Sequence, residues 1–252
     1  MDTCPETELR QTLTLPATAN RRFLPAWRRF LTGQEMMDYK AARTKMVDNQ
    51  VRPTDVTSHA VIAAFLSVAR EEFVPAAKKL LAYIDDDIEL SPGRYLMEPS
   101  PLAKLIQLAD IDTNDVVLEV GCGTGYASAI LSQLGGSVVA LESDGELAAK
   151  ATETLANLGH DNVAVVTGDL EKGYAPEAPY DVIFVHGAVE TVPEALFAQM
   201  RDGGRLVVVE GYGNASQARL YIKENGRTSE RDAFNTSVKP LPGFRKAREF
   251  VF

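Results

Sequence analysis

Cysteine is nearly absent from this chain: Cys4 and Cys122 are the only two in 252 residues. That excludes a disulfide framework and leaves too few thiolates for a structural zinc site. Histidine is scarce as well, and His59, His160 and His186 share no ligand-like spacing, so no metal centre is expected. No apolar run approaches the roughly 20 residues that span a bilayer. An apolar signal-peptide core is also missing, which leaves the cytoplasm as the default location. Positive charge is in deficit: 26 lysines and arginines face 35 acidic residues, a formal net charge of −9. A chain of that sign has no general affinity for nucleic acid or an anionic membrane. Internal repeats are lacking too.

What acid-poor sequence there is lies at the start. Leu9 to Gln34 contains no acidic residue and holds Arg10, Arg21, Arg22, Arg28 and Arg29. Transit peptides share that bias, but serine is scarce here and Asp2, Glu6 and Glu8 precede it. Residues 1–35 are therefore read as a poorly ordered tail, or as the product of a start assigned ahead of Met36 or Met37. Residues 36–100 read as an N-terminal helical module, and residues 101–252 as a larger α/β domain.

The most informative run is Val116-Val117-Leu118-Glu119-Val120-Gly121-Cys122-Gly123-Thr124-Gly125. Its β-branched half is a buried parallel strand, and glycines at alternate positions let the backbone turn tightly against a ligand. A helix over Ala127 to Leu134 and a strand from Val138 to Leu141, ending in Glu142, complete a βαβ unit. An acidic residue about 20 positions after such a loop is placed to hydrogen-bond a ribose. A dinucleotide site would need a third glycine where the two possible frames have Tyr126 and Ser128. The spacing Glu-x-Gly-x-Gly-x-Gly instead resembles the first motif of S-adenosylmethionine-dependent methyltransferases of the Rossmann-like class. Cys122 reads as a small reduced residue inside that loop.

The flanking pattern predicts helices over Lys40 to Val51, from an N-cap at Thr57 through Arg70, over Ala76 to Tyr83 and over Leu102 to Leu108. Pro53 is expected to break the first of these. Asp85-Asp86-Asp87 reads as a solvated loop rather than a cation site. After Glu142 come a helix from Gly145 to Leu158, a strand from Asn162 to Thr167 and a central strand from Tyr180 to Val185. Pro193 opens a helix to Met200, Arg205 to Val209 is another strand, and Leu220 to Lys223 with Ala233 to Val238 forms a hairpin around Asn225-Gly226. The fold class expected is α/β: a mostly parallel, Rossmann-like sheet of about seven strands with a late antiparallel hairpin and an N-terminal helical extension.

Motifs outside the glycine loop are more specific. Met46-Val47 with Gln50, Asp55, Val61, Arg70-Glu71-x-Phe73-Val74-Pro75, Ala82-Tyr83 and Pro99 occur in that order. Gly168-Asp169, Gly173-Tyr174, Pro179-Tyr180-Asp181, Val192-Pro193-x-Ala195-Leu196 and Gly203-Gly204-Arg205-Leu206-Val207-Val208 follow. Together, over roughly Lys45 to Gly211, they resemble the protein-L-isoaspartate O-methyltransferase family. The resemblance implies S-adenosyl-L-methionine as cofactor and isoaspartyl-containing proteins or peptides as partners. It implies methyl esterification that lets the damaged residue close to a succinimide and partly reopen as aspartate. By the same resemblance, Glu119, Gly121 and Gly123 face the methionine half of the cofactor. Glu142 with Ser143 takes the ribose hydroxyls, Asp169 and the Leu170 backbone meet the adenine, and Leu96 and Met97 lie against the cofactor from the acceptor side.

This chain departs from that family at the acceptor. Where the family carries a hydroxyl two residues before a proline, Tyr95-Leu96-Met97-Glu98-Pro99 presents Met97, and Glu98 adds negative charge. Leu170 replaces a family glycine, and the family's late loop motif is missing. Arg94 and Arg52 are candidates for compensating positive charge. Three readings fit: an isoaspartyl methyltransferase, a methyltransferase for another acceptor, and a cofactor-binding relative without transfer activity.

Overall fold

Strands buried on both faces read as unbroken apolar runs, and four such runs here line up side by side. In the computed structural model, which describes residues 37–244, they are β3 (Val116–Val120), β4 (Ser137–Glu142), β5 (Val163–Thr167) and β6 (Tyr180–Val189). With β7 (Met200–Glu210), β8 (Gln217–Glu224) and β9 (Arg227–Asn235) they form a seven-stranded sheet of order β5-β4-β3-β6-β7-β8-β9. Pairings from β5 to β7 are parallel, and β7–β8 and β8–β9 are antiparallel. The fold is therefore α/β with a late antiparallel hairpin. The expectation for residues 1–35 lies outside the described residues.

Side-chain alternation assigns each strand residue to a face. Leu118, Val139, Leu141, Ile183, Val185, Leu206 and Val208 pack into one core. Val117, Val138, Ala140, Val182, Phe184, Val207 and Val209 pack into the other, with the N-terminal helices. Those helices are α1 (Tyr39–Met46), α2 (His59–Ser67) and α3 (Pro99–Ala109). Beside them lies α4 (Tyr126–Leu134), whose first residue meets Phe65 and Phe73 edge-on at centroid distances of 6.2 and 5.7 Å. Arg70, fully buried, stands 4.8 Å over the same Tyr126 ring. Residues on both sides of position 100 thus share one core, and the described residues from Asp38 onward form one unit.

Several boundaries differ from expectation for local reasons. The first helix is regular only to Met46; Val47–Val51 widen into a π turn and Arg52–Thr54 tighten into a 3-10 turn. The loosened turn precedes Pro53, which brings no N–H to a regular ladder. Ser58, not Thr57, caps α2, because the Thr57 and Ser58 N–H groups both donate to Gln107 Oε1, at 2.7 and 2.8 Å. Ala76–Leu81 is 3-10, and α2 ends at Ser67 rather than Arg70. Pro193 is the N-cap of a short α6 (Glu194–Ala198), after α5 (Gly145–Asn157). The hairpin turn falls at Asn225-Gly226 as expected, but β9 runs from Arg227 to Asn235 instead of Ala233 to Val238. A small antiparallel hairpin, β1 (Ile88–Ser91) with β2 (Arg94–Leu96), was not foreseen.

Two exposed glycines offer a clean test of backbone against packing. Gly226 has φ +72°, while Gly145 opens α5 without a positive φ, and a Cβ at either would meet nothing within 4 Å. Gly226→Ala is therefore expected to cost about 1–2 kcal/mol of backbone strain, and Gly145→Ala to stabilise by about 0.4–1 kcal/mol. Urea denaturation of the two variants checks the opposite signs.

Candidate active site

In an open parallel sheet, ligands bind beyond the carboxyl ends of the strands where strand order reverses. Here β3 is the pivot, with β4 on one side and β6 on the other. Glu119, Glu142 and His186 sit near the ends of β3, β4 and β6. Alternation puts all three on the face of Val117, Ala140 and Phe184, the face covered by the N-terminal segment. The loop between β3 and α4 carries Gly121, Gly123 and Gly125 at φ +87°, +58° and +92°, values that favour glycine at each position.

Both carboxylates are completely buried. Glu142 Oε2 accepts from Gly123 N at 2.7 Å and from Arg94 Nη2, while Oε1 accepts from Ser143 N at 2.9 Å, Asp144 N at 3.1 Å and Ser143 Oγ at 3.3 Å. A carboxylate offers about four lone-pair positions, so Glu142 is saturated by its own chain. Arg94 reaches it from β2, and its side chain is only 7 % exposed. Arg94 is thus neither a surface arginine nor a charge facing the acceptor. Arg52 is a surface residue paired with Asp48 one helical turn away.

Glu119 is held differently. Oε2 accepts from Ser128 Oγ on α4, and Oε1 lies 2.9 Å from His186 Nδ1. His186 was passed over in the sequence because its spacing to the other histidines means nothing. The signal that would have found it is a polar residue straight after the apolar stretch Val182–Val185 of a central strand. Burial, and then the charges of Glu119 and Glu142, push the neighbouring Cys122 thiol well above its ordinary range. The thiol is inert and fills space, as expected.

The remaining predicted residues divide into two groups. Ser143, Asp169 and Leu170 line one cavity of about 210 Å³ together with Glu171, Pro242 and Gly243. Asp169 itself is exposed and paired with Lys172 at 2.5 Å. Leu96 and Met97 are buried in the core, and the Met97 carbonyl accepts from Arg70 Nη2 at 2.8 Å. A second cavity, about 300 Å³, is lined by Gly93, Tyr95 and Pro240 to Gly243. Between the two cavities runs a segment that sequence reading missed. Ala188 N donates to Lys239 O and Leu241 N donates to Ala188 O, at 3.0 and 2.9 Å. These bonds lay Leu241 against the glycines, so that a Cβ on Gly121 or Gly187 would fall within 2.7 Å of its side chain.

Comparisons with known proteins agree with this arrangement. The model of the protein-L-isoaspartate(D-aspartate) O-methyltransferase family matches residues 41–243. A protein-L-isoaspartate O-methyltransferase of Koribacter versatilis is 36 % identical over 209 residues, 83 % of this chain and 94 % of that one. One from Methanoculleus marisnigri is 34 % identical over 80 % of this chain and 91 % of its own length. Among solved structures, a protein-L-isoaspartate O-methyltransferase superposes with a TM-score of 0.70 at 30 % identity, covering 80 % of this chain and 66 % of that one. A Plasmodium falciparum structure in complex with S-adenosyl-L-homocysteine gives a TM-score of 0.67 at 19 % identity, covering 81 % of this chain and 97 % of that one, which shows the shared fold. With the glycine loop, the strand-end carboxylates and the family-specific N-terminal segment in one structure, this chain belongs to the protein-L-isoaspartate(D-aspartate) O-methyltransferase family.

Proposed function

We propose that this protein uses S-adenosyl-L-methionine to methylate isoaspartyl carboxylates of damaged proteins. The observation that carries the reading is the juxtaposition, at the switch point, of the glycine loop, two buried carboxylates and the cavity beside Ser143, Asp169 and Leu170. An adenosyl amino acid fits that donor set: Asp169 and the Leu170 backbone would hold the adenine, Glu142 the ribose, and Glu119 with Gly121 and Gly123 the amino-acid tail. When bound, the cofactor supplies an electrophilic methyl group on a sulfonium. The protein's share of the chemistry is small, because an isoaspartyl carboxylate with a pKa of about 4 is already ionised at neutral pH. It needs alignment and a dry site rather than a general base.

Arg94 competes with the ribose for Glu142, because every acceptor position of that carboxylate is taken while Arg94 is in place. Arg94→Met should lower the stability of the unliganded protein by about 3–5 kcal/mol, the cost of leaving a buried charge unpaired. The same change should enlarge the rise in melting temperature produced by S-adenosylmethionine, since a competitor has been removed. Thermal scans with and without cofactor read both effects, and an unchanged ligand-induced rise would separate Arg94 from the ribose site.

A second reading is favoured by the acceptor rim. Glu98 stands beside Asp87, whose Oδ1 accepts from Glu98 N at 3.0 Å. Burial, then Asp87, Asp85 and Asp86, hold the Glu98 carboxyl above its usual range, and burial does the same to Asp87. Such a rim suits an acceptor that is not anionic. Calorimetric titration of S-adenosylmethionine, followed by methyl transfer to an isoaspartyl peptide and its aspartyl twin, separates the readings. The first reading expects binding and transfer to the isoaspartyl peptide alone; binding without transfer leaves the second. Met97→Ser should raise isoaspartyl transfer if loss of the family hydroxyl limits the rate.

A further inference from the structure

The two buried carboxylates differ in charge balance. Glu142 has a cation of its own in Arg94, whereas no lysine or arginine among the described residues pairs with Glu119. Its partners are the Ser128 hydroxyl and the His186 imidazole. A carboxylate only accepts hydrogen bonds, so the proton between the two groups resides on Nδ1 of His186. Nε2 is left over. It is buried without a hydrogen-bond partner, on a side chain that is 3 % exposed.

The strand geometry shows why the imidazole sits there. Glu119 stands opposite Phe184, and Val120 opposite Val185, so His186 comes level with Gly121 and projects from the same face as Glu119. Immediately beyond, the pairing of β6 with β7 slips between Phe184 and Ala188, and Gly187 takes φ +156°. Irregularities of this kind recur beside active sites, where they re-aim a side chain.

We propose that His186 and Glu119 together receive the α-ammonium group of the cofactor's amino-acid tail, His186 Nε2 accepting one N–H and Glu119 supplying the countercharge. The assignment rests on the cofactor reading above. Its logic is complementarity: a buried carboxylate with only uncharged donors is costly, and a buried ring nitrogen without a donor is costly too. A cationic donor entering beside Gly121 satisfies both. A neutral or anionic group there would satisfy at most one. The raised Cys122 thiol, under the influence of the same two carboxylates, reports the negative field that such a cation would enter.

The test uses calorimetric titration of the full chain with two ligands, S-adenosylhomocysteine, which carries the tail, and methylthioadenosine, which lacks it. His186→Asn keeps a donor at the position of Nδ1 and removes the atom at Nε2. Glu119→Gln keeps the shape and removes the charge. Each variant should weaken S-adenosylhomocysteine about 10- to 100-fold, the range for a hydrogen bond to a charged group. Affinity for methylthioadenosine should stay within about twofold, which also shows that the variants are folded. Equal weakening of both ligands would overturn the proposal and make the pair a support for the loop alone. Unchanged S-adenosylhomocysteine affinity would overturn it as well. Failure of the unaltered protein to bind either ligand would instead sink the cofactor reading on which it rests.

Discussion

Everything around the crevice answers to the burial of two carboxylates at adjacent strand ends. A lone carboxylate moved out of water costs far more than the net stability of a domain, unless donors and countercharge replace its hydration. The fold meets that demand from many directions at once. The glycine loop turns so that Gly123 N–H points at Glu142, and the β4–α5 junction adds the N–H groups of Ser143 and Asp144. Helix α4 contributes Ser128, β6 contributes His186, and the small β1–β2 hairpin contributes Arg94. None of these can shift without exposing or orphaning a buried charge. The crevice is rigid for electrostatic reasons before any ligand arrives.

A second buried charge organises the acceptor side. Arg70 donates to the Ala82 carbonyl and the Met97 carbonyl, both at 2.8 Å, while its guanidinium lies over Tyr126. The path of the chain through Met97 is therefore held by a main-chain oxygen and not by the Met97 side chain. That distinction explains how the residue at this position can depart from the family without displacing the segment. Backbone recognition preserves the frame and leaves the chemistry of the side chain free to change.

How far the sequence reveals this depends on the range of each interaction. The β3 loop, Glu142 and the βα alternation were legible because they depend on residues close along the chain: β-branched runs, glycine spacing and a carboxylate about 20 residues on. The Arg94–Glu142 pair spans 48 residues and is anchored on strands of three and four residues, too short to show a period of two. His186 looked like one more member of an apolar strand until Glu119 appeared beside it. Leu241 follows the last regular strand, where no periodicity marks a segment held by two main-chain bonds to Ala188. What stayed hidden was the set of partners, since pairing between distant residues leaves no local trace.

The acceptor rim brings these strands of argument together. Asp85, Asp86, Asp87 and Glu98 confront any group that approaches from the Tyr95 side, and Lys239 is the cation set against them. Its ammonium stands 5.5 Å from the Tyr95 ring centroid and lowers the proton affinity of both Asp87 and Glu98. Lys239 belongs to the same segment that places Leu241 over Gly121 and Gly187. One stretch of chain thus tempers the acidic mouth and covers the glycine cradle. Any movement that uncovers the cradle for a nucleoside must also carry Lys239 away from the rim or swing it across. Cofactor access and acceptor charge are mechanically linked through five residues, Lys239 to Gly243, that lie between the two cavities.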